Sequence, residues 1–95
     1  MYRVVRTRQF EKSFRKLKKS GSFKATIRQN LDEAIVLLVE GKSLPMSYAD
    51  HQLSGELQQY RECHIKGNLL LEYEYRDDML VLILVDIGSH SQLFG

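Results

Sequence analysis

The sequence predicts an α+β fold of order β-α-α-β-β-β, a four-stranded, mainly antiparallel sheet packed against two N-terminal helices. Three observations predict it. The first half of the 95 residues carries apolar positions at helical spacing. The second half carries three short runs rich in Val, Ile, Leu and Tyr. Turns short enough for hairpins, Lys66-Gly67-Asn68 and Arg76-Asp77-Asp78, separate those runs.

Tyr2 to Arg6, with Val4-Val5 at its centre, reads as a short strand. Thr7 is placed to cap a helix running through Lys19. Its Phe10, Phe14 and Leu17 follow i, i+4, i+7, one apolar stripe beneath a basic outer face. Ser20-Gly21-Ser22 breaks that helix, and Ser22 is expected to cap the next. There Phe23, Ile27, Leu31, Ala34, Ile35 and Leu38 recur at helical spacing until Gly41. Phe10, Phe14 and Phe23 therefore belong to the core. Residues 42–59 hold Pro45 and Gly55 and no sustained period, which predicts a crossing loop with at most one helical turn. The strands Gln59–Ile65, Leu69–Tyr75 and Met79–Ile87 follow.

Side chains alternate along a strand. Cys63 and Ile65 then face the helices, while Tyr60, Glu62 and His64 share the opposite, open face. In the next strand Leu71, Tyr73 and Tyr75 take the core side and leave Glu72 and Glu74 open. Met79 to Val85 is apolar without alternation, as for a central strand covered on both sides, and a partner segment is expected over the second face.

The size fits one domain, residues 1–95, with a single core. The longest apolar run is too short to cross a bilayer, and the N-terminus lacks the apolar stretch of a secretory signal. The lone Cys63 cannot form an internal disulfide, so a cytoplasmic setting is expected. Net charge is +2, but its distribution is uneven: residues 1–47 hold eleven Lys/Arg against four Asp/Glu, and residues 48–95 three against eight. The Arg15-Lys16 and Lys18-Lys19 pairs make one helix face strongly basic, a surface that attracts phosphate backbones or an acidic partner protein.

All three histidines lie in the second half: Asp50-His51, Arg61-Glu62-Cys63-His64 and Gly88-Ser89-His90-Ser91. Imidazole exchanges protons near neutral pH, its unperturbed pKa being about 6.5. Three in polar clusters at strand ends and turns point to acid–base chemistry. A zinc site built from them and Cys63 is not expected, because Cys63 and His64 face opposite ways.

Asp50-His51-Gln52-Leu53-Ser54-Gly55, Tyr60-Arg61-Glu62-Cys63-His64-Ile65 and Gly88-Ser89-His90-Ser91-Gln92-Leu93-Phe94 together resemble the YafQ branch of the RelE/ParE toxin superfamily. The resemblance implies a toxin of a type II toxin–antitoxin pair that cleaves mRNA on the ribosome without a metal or other cofactor. In that chemistry the ribose 2′-hydroxyl attacks the neighbouring phosphorus and leaves a 2′,3′-cyclic phosphate. It implies a small antitoxin as partner, contact with operator DNA only through that complex, and no membrane. His90 then matches the general acid, and His64 and His51 match the base or phosphate-orienting groups. Glu62 is a second base candidate, or a neighbour that raises the pKa of His64. Arg61, Asn68, Phe94, Lys16 and Lys19 are expected on the RNA side, Phe94 by stacking on a base or by fixing the C-terminal tail.

Two departures bear on activity. Gly67-Asn68-Leu69 stands where the family pattern reads Pro-Asp-Trp. Asp86 stands four residues before His90, where the pattern has an arginine. A carboxylate there repels the scissile phosphate. It leaves Asp86 to orient His90 or to act as base, and the expected nuclease activity is reduced, altered or lost. The contrasting expectation is a catalytically weak binding module that acts with its antitoxin as an autorepressor. A gyrase-directed poison of the same fold fits the histidine set less well.

Overall fold

The structure, a computed structural model, describes residues 1–94. Strand β1 (Arg3–Arg6) leads into α1 (Arg8–Lys19) and α2 (Ala25–Val39). There follow β2 (His51–Gln52), β3 (Arg61–Lys66), β4 (Leu69–Arg76), β5 (Val81–Gly88) and a short helix α3 (His90–Phe94). The strands form one sheet in the order β1-β5-β4-β3-β2. β1 runs parallel to β5, and the other pairs are antiparallel. The expected fold class holds, with one strand more than the four expected. That extra strand is His51–Gln52, two exposed residues inside the region read as loop. The rest of that region holds two single 3-10 turns, Met46–Tyr48 and Gly55–Leu57.

Thr7 starts α1 as its sequence position implies. Its hydroxyl accepts the Phe10 N–H at 2.9 Å and satisfies one of the helix's orphan donors. Phe10 is buried, and Phe14 and Leu17 pack at the margin of the core. The second helix begins later than expected. Lys24, not Ser22, is the capping position, and it makes no side-chain cap bond. The reason lies in Phe23, whose ring stands edge-on to Phe14 with centroids 5.3 Å apart and carries the Arg28 guanidinium 5.0 Å above it. Holding Phe23 in that wedge keeps it outside the helix. Gly41 ends α2 at φ +71°, with Lys42 N–H bonded to Leu37 O at 2.9 Å and Gly41 N–H to Leu38 O at 3.0 Å. A left-handed residue there closes the last carbonyls, and glycine adopts it without strain.

On the sheet, Cys63, Ile65, Leu71 and Tyr73 face the helices and are buried, as alternation predicted. Burial pushes the Cys63 thiol up to about 12, which makes it inert. β5 starts at Val81, two residues later than expected. Met79 and Leu80 instead finish an exposed turn, with Leu80 at φ +52°.

β5 also contains a bulge that alternation cannot anticipate. Glu72 pairs with Asp86 and Tyr73 with Leu84, so Val85 is an extra residue. Beyond it the strand's parity flips: Ile87 enters the core, while Asp86 joins Glu72 on the second face. Thr7 holds the bulge in place. Its N–H donates to Leu84 O at 3.1 Å, and its hydroxyl donates to Val85 O at 2.7 Å.

The second face is less open than expected. His51, Glu62, Glu72 and Asp86 lie opposite one another in a row across β2, β3, β4 and β5. Yet Glu62 is only 6% and Glu72 8% exposed. His51 meets Glu62 at 3.1 Å, and Arg76 covers Glu74 on the same face with an ion pair of 2.6 Å. Burial first, then the charges of Asp86 and Glu62, raise the Glu72 carboxyl above its usual range.

Thr7→Val removes the cap and strands the bulge carbonyl, and is expected to cost about 1–2 kcal/mol by denaturant titration, whereas Thr7→Ser retains most of it. Glu72 resists ionising in the folded state, so its destabilising effect is absent in acid and grows as pH rises through its folded pKa. Glu72→Gln therefore raises Tm at pH 7, and the gain shrinks toward zero below the ordinary carboxyl value of 4.5. Thermal melts of both proteins across pH 3–7 check this.

Candidate active site

The loop that ends α2 and the turns after it deliver the first histidine. Ala49, at φ +48°, turns the chain from the Met46–Tyr48 turn into Asp50. Asp50 is then clamped: Arg61 Nη2 binds its Oδ2 at 3.0 Å, and the buried Tyr73 hydroxyl donates to its Oδ1. Arg61 Nε also donates to Tyr73 at 3.3 Å. The Arg61 guanidinium expected to meet RNA is thus engaged with Asp50 and Tyr73, as its core-side parity implies. Burial and the Asp50 hydrogen bond raise the Tyr73 phenol, so it stays a donor.

The clamp fixes the backbone immediately before His51. The His51 ring lies between two acceptors, Nδ1 against Ala49 O at 2.8 Å and Nε2 against Glu62 Oε1 at 3.1 Å. The other Glu62 oxygen, Oε2, is buried and meets no hydrogen-bond donor among the described residues. Glu62 therefore faces His51 across the strand pair, whereas parity along β3 had set it beside His64.

His64 sits one register step further, opposite Leu70, which is opposite Gly88. Two strand spacings separate His64 from Gly88, about 10 Å. His64 Nδ1 lies 3.4 Å from Gly67 O, in the β3–β4 turn. His90 opens α3 two residues beyond Gly88, and its ring rests on Phe94 with centroids 5.1 Å apart. Sequence patterning did not anticipate α3, because five residues are too few to display a helical period. Its start is set by Ser89, whose hydroxyl accepts the Gln92 N–H at 3.3 Å and whose N–H donates to Gln92 Oε1 at 2.8 Å.

Two cavities flank this face. The larger, of about 580 Å³, lies between α1 and the end of β5, with Lys16, Asn68, Asp86, Gly88 and Gln92 in its wall. The smaller, of about 340 Å³, is lined by His64, Tyr48, Glu33 and Lys66. The structure thus puts Lys16, Asn68 and Asp86 together and His64 apart from them, while His51, Glu62 and His90 line neither. Lys19, at the last turn of α1, is exposed. No group of three or more His, Cys, Asp or Glu among the described residues is arranged to hold a metal ion. No helix among them is long and apolar enough to cross a membrane. Glu72 is a member of the row that the sequence reading left out of the site, although its parity with Glu62 marked it.

A 61-residue stretch is 43% identical to a Haemophilus influenzae protein bearing the name toxin YafQ, covering 62% of this chain and 60% of that protein. The mRNA interferase toxin YafQ of Escherichia coli is 36% identical over 52 residues, 55% of this chain and 54% of its own length. Matched stretches thus span less than two thirds of these curated relatives. The fold likeness extends further. The crystal structure of the E. coli DinJ–YafQ complex superposes with a TM-score of 0.84 at 27% identity, covering 100% of both chains. A metal-bound toxin from Helicobacter pylori gives a TM-score of 0.88 at 36% identity, covering 99% of this chain and 100% of that one. The family described as the bacterial toxin of type II toxin–antitoxin systems, YafQ, matches residues 2–95, and this chain belongs to it.

Proposed function

We propose that the chain is an mRNA interferase, the toxin of a type II pair, which cuts mRNA on the translating ribosome and is neutralised by a small cognate antitoxin. The observation that carries this reading is the strand register that sets His51 opposite Glu62 and His64 on the same face of the sheet, with His90 just past the end of β5. His51 lies opposite Glu62, His64 two residues further along β3, and His90 two residues past the strand end opposite that row. The relative named as an mRNA interferase and the complex named DinJ–YafQ support the activity and the partner class. Operator DNA is reached through the toxin–antitoxin complex.

In this reading three histidines divide the labour. His64 has one ring nitrogen in a long contact of 3.4 Å and is the base that takes the 2′-hydroxyl proton. The O2′–P bond forms as the P–O5′ bond breaks, and His90 donates its proton to the departing O5′. The products are a 2′,3′-cyclic phosphate and a 5′-hydroxyl, and solvent resets both rings. His51 has both ring nitrogens engaged, by Ala49 O and Glu62, so it orients the phosphate rather than taking the 2′-hydroxyl proton. Donors and charges placed at a developing oxyanion commonly accelerate a reaction more than the proton transfers do. Glu62 holds that ring, and Phe94 seats His90. Lys16 and Lys19 on α1 track the RNA backbone. A second reading, a binding module that represses with its antitoxin and cuts little, is favoured by one observation: Asp86 adds a carboxylate beside Glu72 where a cation would serve phosphate.

Induction in growing bacteria with transcript ends mapped separates the two. Wild type is expected to arrest growth and cut messages. His90→Ala and His64→Ala each lose roughly 10²–10⁴-fold in cleavage rate on programmed ribosomes and no longer arrest growth. A wild type that neither arrests nor cuts establishes the binding module instead.

A further inference from the structure

The cavity between α1 and the end of β5 has a mixed lining that proton-transfer chemistry does not use. Asp86 lies in its wall, just past the Val85 bulge at the end of β5. Asp86 Oδ1 accepts the N–H of Ile87 at 2.8 Å, which fixes the carboxylate, and Oδ2 receives no donor from the described residues. Glu72 is its cross-strand neighbour, so the site repels anions at that end and welcomes N–H donors. Gln92 lines the same wall. Its Oε1 is taken by Ser89 N–H at 2.8 Å, which leaves the amide N–H groups for an acceptor. Gly88 permits this arrangement, because a Cβ there would stand 2.8 Å from Gln92 Oε1. The opposite wall brings Lys16 from the basic helix α1.

We infer that this cavity is a base-reading subsite for guanine, with Asp86 accepting the N1–H and N2–H pair, Gln92 donating to O6 and Lys16 holding the attached phosphate. Only guanine among the four bases presents two adjacent donors beside an acceptor. Adenine and cytosine offer one amine next to a ring nitrogen lone pair that a carboxylate repels. Uracil offers one N–H between two carbonyls. A volume of about 580 Å³ lies within the range of ordinary small-molecule sites. Asp86 thus reads a base where an arginine would hold phosphate, an inference that rests on the RNA-cutting function but makes its own prediction about binding.

The test is titration of the full chain with GMP, AMP, CMP and UMP, followed by amide chemical shifts, alongside transcript-end mapping. GMP is expected to shift the Asn68, Asp86, Gly88 and Gln92 amides and to bind about tenfold more tightly than UMP, the discrimination typical of one good two-point base contact. Asp86→Asn, of equal size, brings that ratio close to one while the spectrum stays dispersed. Lys16→Ala weakens all four nucleotides alike and leaves guanosine without phosphate unchanged. In mapped transcripts the fraction of cuts next to guanine falls for Asp86→Asn, normalised to each protein's total. Equal binding of GMP and UMP, or an Asp86→Asn protein that keeps the preference, overturns the subsite even if the wild type cuts RNA. So does an Asp86→Asn change that weakens only antitoxin binding, for then the cavity belongs to the antitoxin. Selective GMP binding by a wild type that cuts nothing upholds the subsite and sinks the nuclease.

Discussion

A single threonine hydroxyl coordinates three parts of this fold. Thr7 ends β1, caps α1 by accepting the Phe10 N–H, and donates to the carbonyl of the bulged Val85. A bulge leaves backbone groups outside the ladder, and a buried carbonyl without a donor costs about 1–3 kcal/mol. By meeting that carbonyl, Thr7 makes the extra residue tolerable. Everything beyond Val85 depends on it. The parity flip sends Ile87 into the core, turns Asp86 toward Glu72, and brings Gly88 opposite Leu70, where α3 and His90 begin.

That dependence explains what was legible in the sequence. Alternation along β3 and β4 gives the core side of Cys63, Leu71 and Tyr73 directly, and Ile65 keeps that side although the register shifts between His64 and Lys66. β5 is apolar on both faces before its bulge, so no polar residue marked where the phase changed. The first polar side chain after it, Asp86, was identifiable by its place four residues before His90, but not by the face it occupies. β2 escaped notice because two residues cannot display a period. What defines β2 is its pairing of His51 with Glu62 and Gln52 with Arg61, a non-local property. The same pairing moved Glu62 from partner of His64 to partner of His51, since a cross-strand neighbour lies closer than a residue two positions along one strand.

Arg61 illustrates the opposite case, in which the sequence carried the information and chemistry decided its use. Its parity pointed toward the core, and an unpaired guanidinium cannot remain there. Asp50 and the Tyr73 hydroxyl supply its partners. The ion pair is half-exposed, and pairs of that kind contribute little stability alone. Its consequence is positional, because Asp50 is the residue before His51, and the clamp fixes where that imidazole enters the sheet.

The charge layout then separates two tasks that one surface could not perform together. The row Glu62–Glu72–Asp86 concentrates negative charge at the centre of the sheet face, and the basic residues lie on α1. A phosphate approaching the row directly is repelled, and one approaching along α1 is drawn toward Lys16 at the cavity wall. An RNA strand satisfies both fields when its backbone follows the helix and its base edges, which carry the N–H donors, turn toward the carboxylates. The aspartate that breaks the family pattern is therefore compatible with nucleic acid, provided it meets the base and not the backbone.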